Sequence, residues 1–395
     1  MATTGEMTTA GSGLDFDLPE ELVLLARAVR EFVERRLQPI ERQVEDEDRI
    51  PEALMREMGE LGYFGLPFPE EYGGVGAGDL GYCVALEEFG HASAAFSNLI
   101  GAHTSIGSMS IFLGGTEEQK SRYLPDLCAG RKIAAFSLTE PSSGSDAASI
   151  QTSAVKKGDR WILNGTKIWV TNGPIADVVV VYAANDRSLG PRGGITAFIV
   201  EKGFPGFRVG KVDDKMGLRG SYTGELVFED CEVPEANVLG GDVGAGFKTA
   251  LGALDIGRIS LAAGAVGSSQ HLLDLGIAHA KRRAQFGRPI AANQAIQWML
   301  ADSAVEIHAA RLMVREAAWK MDQGRRASNE AAMVKVFASE MAGRVADRVL
   351  QIHGGMGYMK DSPVERAYRD ARILRIYEGT SEVQRMIIAE ELLKQ

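Results

Sequence analysis

The sequence lacks most of the devices that cross-link a small fold. Only three cysteines occur among 395 residues, Cys83, Cys128 and Cys231. They lie far apart and never as C-x-x-C, so neither a zinc knuckle nor a disulfide framework is indicated. The six histidines form no H-x-x-x-H or H-E-x-x-H pattern, and no metal site is expected. Basic residues are outnumbered, 43 Lys and Arg against 53 Asp and Glu, for a net charge of −10. A nucleic-acid partner needs a basic face to displace counterions, so that class is set aside. The longest unbroken apolar run, Val178 to Ala184, is far short of the roughly 18 residues of a membrane span. No G-x-S-x-G elbow is present to support hydrolase chemistry of that kind. Residues 1–14 carry neither Lys, Arg nor an apolar core. They read as a disordered leader rather than a presequence or signal peptide, and the chain as cytoplasmic.

What remains is an ordinary globular balance, 45% hydrophobic and 24% charged, long enough for two or three domains at about 150 residues each. From residue 15 to 135 apolar residues recur at helical spacing, as in Leu22, Leu25, Ala26, Val29, Phe32 and Val33. From 136 to 243 the pattern changes to short β-branched and aromatic runs: Trp161–Leu163, Lys167–Val170, Val178–Tyr182, Ile195–Val200 and Glu225–Phe228. Turn chemistry separates them at Gly158-Asp159, Asn164-Gly165, Asn172-Gly173-Pro174 and Pro205-Gly206. From 244 to 395 the helical period returns, with Val334, Phe337, Ala338, Met341 and Val345 on one stripe. The expectation is an α+β chain, helical at both ends with a β domain between.

Three segments invite a functional reading. Gly76-Ala77-Gly78-Asp79-Leu80-Gly81 matches G-x-G-x-x-G, but a dinucleotide site needs a buried strand before it. Here Pro69-Glu70-Glu71-Tyr72-Gly73-Gly74 precedes it, so a loop entering a helix is the better reading. Thr139-Glu140-Pro141-Ser142-Ser143-Gly144-Ser145-Asp146 is either a polar turn or a loop that grips a polar ligand. Tyr377-Glu378-Gly379-Thr380-Ser381 precedes an amphipathic helix, for which Ser381 and Gln384 offer an S-x-x-Q capping box. Glu378 is not needed for that cap. By itself it would be a solvated carboxylate.

Together these segments resemble the acyl-CoA dehydrogenase family of flavoenzymes, from about residue 15 to the C-terminus. The resemblance is carried by Pro69–Gly74, Leu138–Asp146, Trp169–Gly173, Arg283–Gly287, Gln351–Gly355 and Ile376–Thr380, in that order. It implies an N-terminal α-helical domain, a middle β-barrel or sandwich and a C-terminal four-helix bundle. It also implies FAD, an acyl-CoA substrate, an electron-transfer flavoprotein as acceptor and a homotetramer. The implied reaction is α,β-dehydrogenation to a trans-2-enoyl-CoA, with Glu378 taking the α-proton and flavin N5 the β-hydride. The alternative base position of some branches is Gly257 here.

Other roles follow from the same resemblance. Phe136, Leu138, Thr139, Ser145, Trp169 and Thr171 are implied in flavin contact, with Ser145 also near the pantetheine. Arg283, Phe286, Gln294, Gln351, Gly354 and Gly355 match the segment that reaches a neighbouring subunit's FAD. Thr380 and Glu382 match adenosine-pyrophosphate contacts. Asp255 and Arg258 match a CoA-binding D-x-x-R, and Tyr377 and Gly379 belong to the substrate-facing loop. Gln285 departs from the Thr common in relatives. Ser97 stands where a glutaryl-CoA enzyme has arginine, against a dicarboxyl substrate. Small residues over Gly101–Gly107, and motif wording closest to the long and very-long-chain branch, lean toward a medium or long saturated chain in β-oxidation. The alternatives are a branched, aromatic or carrier-bound acyl thioester in a biosynthetic pathway, a short acyl-CoA oxidase, or a non-catalytic scaffold. A scaffold would have no need of Glu378.

Overall fold

The computed structural model describes residues 18–394; the expected leader lies outside the described residues. Seven α-helices open the described residues: α1 Glu20–Phe32, α2 Glu41–Glu47, α3 Glu52–Glu60, α4 Gly78–Phe89, α5 Ala94–Gly101, α6 Met109–Gly114 and α7 Glu117–Cys128. Between α5 and α6 the helix widens into a π-helical stretch, Ala102–Ser108. There the Ser105 hydroxyl bonds back to the Gly101 carbonyl, and just past it in α6 the Ser110 hydroxyl to that of Ile106; π-helical stretches recur at functional sites. His103 in this stretch is buried with its ring in use: Nδ1 accepts from the Ala134 amide at 2.9 Å, leaving Nε2 to donate to the Leu127 carbonyl at 3.0 Å. Burial lowers its pKa to about 4, so the ring is a neutral bolt between the helices and the first strand.

The middle region is one curled seven-stranded sheet. Its strands are β1 Ala134–Ser137, β2 Ser153–Lys157, β3 Arg160–Thr171, β4 Val178–Ala184, β5 Ile195–Glu201, β6 Phe207–Val212 and β7 Thr223–Pro234. Hydrogen bonding runs β1-β4-β2-β3-β7-β6, and β5 pairs with the other edge of β4. β4 is buried along its whole length, which explains its uninterrupted apolar sequence. Gly158 and Asp159 turn the β2–β3 hairpin as expected. Asn164-Gly165 does not turn the chain: β3 runs through it with a register shift against β7. Gly165 at φ 154 comes so close to Thr152 that a Cβ would collide with its hydroxyl. Asn164 meanwhile bonds Asp230 across the strand pair. The glycine supplies a close approach, not a reversal.

The C-terminal region comprises α9 Gly246–Arg282, α10 Gln294–Asp322 and α11 Ser328–His353, followed by α12 Pro363–Ala371 and α13 Ser381–Leu393. A single turn of helix, α8 Pro191–Gly194, lies earlier, between β4 and β5. A stretch of α9 reaches mean hydropathy 1.3 over membrane-spanning length, which corrects the expectation that no segment does. Two-thirds of it, 67%, is buried inside the protein, so its apolarity serves the core. One apolar core joins α1, α4 and α5 to α9, α10 and α11. The glycine-rich entry to α4 holds no phosphate site: the Asp322 carboxylate occupies that helix end, accepting from the amides of Asp79 and Leu80 at 2.6 and 3.0 Å.

Candidate active site

A cavity of about 1030 Å³ opens where the helical regions meet the sheet. Ser97, Gly101, Ala102 and Ile106 wall it from the α5–π segment, and Leu254, Arg258, Leu261 and Gly264 from α9. Its volume is at the upper end of the roughly 300–1,000 Å³ of small-molecule sites.

Glu378 sits on the loop between α12 and α13. Its backbone is left-handed, φ 54, and Gly379 follows at φ 91. A non-glycine residue held there costs about 1–3 kcal/mol and persists only where its surroundings impose it. Three helices impose it here. Arg258 Nε of α9 donates to the Glu378 carbonyl at 3.2 Å. Gln384 Nε2 of α13 reaches both the Glu378 and Gly379 carbonyls at 3.1 Å. Lys335 Nζ of α11 donates to the Gly379 carbonyl at 2.6 Å.

The carboxylate itself is left free. Its Oε2 is buried with no hydrogen-bond partner among the described residues and lies so near Gly257 that a Cβ there would be 2.6 Å away. Burial raises the Glu378 pKa to about 7, against the opposing pull of Arg258 and Lys335. A carboxyl group in that range is suited to general-base work near neutral pH. The expected Ser381 cap is not what starts α13. Thr380 is the N-cap, accepting from the Val383 amide at 3.3 Å, and Ser381 is buried in the first turn. Gln384 is engaged with the loop carbonyls instead.

The sheet contributes the opposite lining. The 138–146 loop is pinned by a buried ion pair, Lys167 Nζ to Glu140 Oε1 at 2.7 Å, with Lys167 also bonding the Leu138 carbonyl at 2.9 Å. Glu140 accepts the Gln151 and Thr152 amides as well. Ile168 donates to the Thr139 carbonyl at 3.0 Å, tying the loop to β3. Trp169 then adopts φ 55 with its side chain exposed, the residue keeping 65% of its surface. Asn172, at φ 62, makes the expected turn and donates to the Leu99 carbonyl of α5.

The cavity thus gathers Phe136, Leu138, Thr139, Ser145, Trp169, Thr171, Arg258, Tyr377, Glu378, Gly379 and Thr380. Asp255 is not on the lining: its carboxylate is taken by Arg258 at 2.9 Å and by the Ser328 hydroxyl. Arg258 in turn braces the Glu378 loop as well as facing the cavity. Glu382 is exposed on the first turn of α13. Arg283, Phe286, Gln294, Gln351, Gly354 and Gly355 lie away from the cavity, at the ends of α9 and α11 and the start of α10. His279 stacked on His353 at 4.2 Å holds those helix ends together, and Phe286 stands fully exposed at φ 52. Sequence reasoning assigned no role to Lys167 or Lys335, and it read Gln384 as a helix cap where the structure has it gripping the loop carbonyls. The available signal was a lysine inside an apolar run, such as Lys335 between Val334 and Phe337.

Residues 19–131, 135–231 and 244–393 match, in turn, the acyl-CoA dehydrogenase N-terminal, middle and C-terminal domains. The chain belongs to the acyl-CoA dehydrogenase family. It has the fold of that family and is an oxidoreductase. It is 47% identical to an acyl-CoA dehydrogenase of Bacillus subtilis, over 95% of this chain and 98% of that one. It is 44% identical to a short-chain specific acyl-CoA dehydrogenase of Clostridium acetobutylicum, over 96% and 100%. Among solved structures, butyryl-CoA dehydrogenase from Megasphaera elsdenii superposes with a TM-score of 0.94 at 42% identity, covering 96% of this chain and 100% of that one.

Proposed function

We propose that the chain oxidises a short-chain acyl-CoA to its trans-2-enoyl product, with Glu378 as the base that removes the α-proton. One observation carries this: a buried carboxylate oxygen with no partner among the described residues, on a strained loop, lines a cavity of about 1030 Å³. Thioester enolisation makes the α-proton acidic, and a base with pKa about 7 can accept it. The proton ends on Glu378, whose neutral form suits its buried place.

The cofactor fits the sheet-side wall. Trp169 presents an open indole, beside Phe136, Leu138, Thr139, Ser145 and Thr171, which suits a flat aromatic ring with polar edges. FAD bound there would supply the acceptor for the β-hydride. The relatives above include short-chain and butyryl-CoA enzymes, and they lend no support to the medium or long chain expected from motif wording. An electron-transfer flavoprotein as acceptor and a homotetramer are further parts of this reading. Exposed Phe286, Met356 and Tyr358 at the far helix ends favour the assembly. The three cysteines, free and buried, suit a cytoplasmic location.

The test is Glu378→Gln on the flavin-loaded protein. Flavin and acyl-CoA should still bind, while anaerobic flavin reduction by butyryl-CoA falls by at least about 10²–10⁴. Reduction within about tenfold of the wild-type rate would remove Glu378 from the mechanism. A panel of butyryl-, octanoyl- and palmitoyl-CoA, with a dye and with O2 as acceptors, separates chain length and oxidase activity. A preference for palmitoyl-CoA would overturn the short-chain assignment.

A further inference from the structure

Lys335 lies in the apolar stripe of α11 and is completely buried. A buried ammonium is costly unless hydrogen bonds or opposite charge compensate it. Among the described residues it makes no direct ion pair. Its hydrogen bond goes to the Gly379 carbonyl at 2.6 Å, one residue beyond the base. The two peptide planes after Glu378 are therefore held separately. Arg258 and Gln384 hold the first by the Glu378 carbonyl, and Lys335 and Gln384 hold the second by the Gly379 carbonyl. With both planes fixed, the left-handed turn is fixed, and so is the direction in which the Glu378 side chain leaves it.

We propose that Lys335 is a positioning residue for Glu378: it locks the turn that aims the carboxylate into the cavity, and its charge, unpaired otherwise, faces that carboxylate. This rests on the reading of Glu378 as the base. Several charged or titratable groups face Glu378 and Lys335: Arg258 with its partner Asp255 from α9, Glu340 from α11, Tyr82 from α4, Glu382 from α13, and Tyr377. Of these Arg258 and Lys335 favour the ionised base. Arg258 is partly neutralised by Asp255 at 2.9 Å, whereas Lys335 has no such partner. Removing the Lys335 charge therefore makes Glu378 hold its proton to higher pH.

The experiment is anaerobic flavin reduction by butyryl-CoA across a pH series, with flavin-loaded K335M and K335Q. K335M, without charge or donor, should slow reduction near pH 7 by about tenfold or more and move the midpoint of the rate's rise about one pH unit higher. The apparent KM should stay within a few-fold. K335Q keeps a donor but no charge, so it should show the same shift with a smaller slowing, and it decides the matter if K335M does not fold. A wild-type midpoint in both variants overturns the proposal. So does a uniform loss at every pH with a raised KM, the mark of a merely structural lysine. In a Glu378→Gln background K335M should add no further slowing, because the lysine acts through the base; an additional tenfold loss also overturns it. A fast Glu378→Gln enzyme would fell the base reading itself. A slow one with an unshifted K335M fells only the role of Lys335.

Discussion

Lys167 and Lys335 are both fully buried, and burial lowers both ammonium pKa values to about 8. Each pins a loop that lines the same cavity, yet the two are used differently. Lys167 is spent on Glu140, which burial alone would push up but which Lys167 and the Thr152 and Gln151 contacts hold below the usual carboxylate range. That pair fixes the 138–146 loop and leaves no free charge. Lys335 grips only a carbonyl, so its field remains available to Glu378. A closed pair makes a rigid wall, whereas a charge held near a free carboxylate makes a site whose protonation can change. Strain follows the same division. Trp169 on the sheet side and Glu378 on the helix side are both left-handed, but only Glu378 carries a group that titrates.

The largest expected difference is in stability. Lys167→Met leaves Glu140 charged and buried without its partner, which should cost about 3–5 kcal/mol. Flavin content should fall as the 138–146 loop loosens. Lys335→Met leaves only a carbonyl that still has Gln384, so its stability cost should be clearly smaller. Urea unfolding of the two apoproteins checks this. Equal losses would dissolve the distinction between the two lysines.

The next difference is in pH response. As the proposed base Glu378 would act ionised, and its pKa is raised from 4.5 to about 7 by burial. The rate of flavin reduction should therefore climb with pH through about 7, dropping about tenfold per unit well below it. A Lys167→Met, Glu140→Gln double variant that retains flavin should keep the wild-type midpoint, since it removes a pair whose charges already cancel. A profile flat from about pH 5.5 to 8.5 would mean that chemistry at Glu378 is not what limits the step.

Glu378, the two loops and the α–β–α order were legible because they lie in contiguous motifs. The lysines were not, because each acts on a segment distant in sequence, Lys335 on Gly379 and Lys167 on Glu140. Neither sits in a recognisable pattern, and Lys335 breaks an apolar stripe without ending it. Asn164-Gly165 read as a turn because that dipeptide turns most chains. Only the close approach of Thr152 reveals why glycine is needed there. Similarly, Asp255 beside Arg258 reads as a ligand motif, while in three dimensions the carboxylate is consumed in holding the arginine.

The smallest expected effect concerns the start of α13, where two readings of Thr380 compete. By resemblance its hydroxyl touches the cofactor's pyrophosphate. In the structure it caps the helix by accepting from the Val383 amide. Losing such a cap costs about 1 kcal/mol, and the loop ahead of it would be held less firmly by Gln384 in the same helix. Thr380→Ser keeps the hydroxyl, so both stability and flavin affinity should stay close to wild type. Thr380→Ala should lower stability by about 1 kcal/mol in the apoprotein, measured without flavin so that cofactor binding cannot contribute. If the apoprotein is unchanged while FAD affinity falls, the hydroxyl serves the cofactor and not the helix. A loss in both would show that one hydroxyl serves the helix before the cofactor arrives and the cofactor afterwards, with the shift in FAD affinity measuring the second role alone.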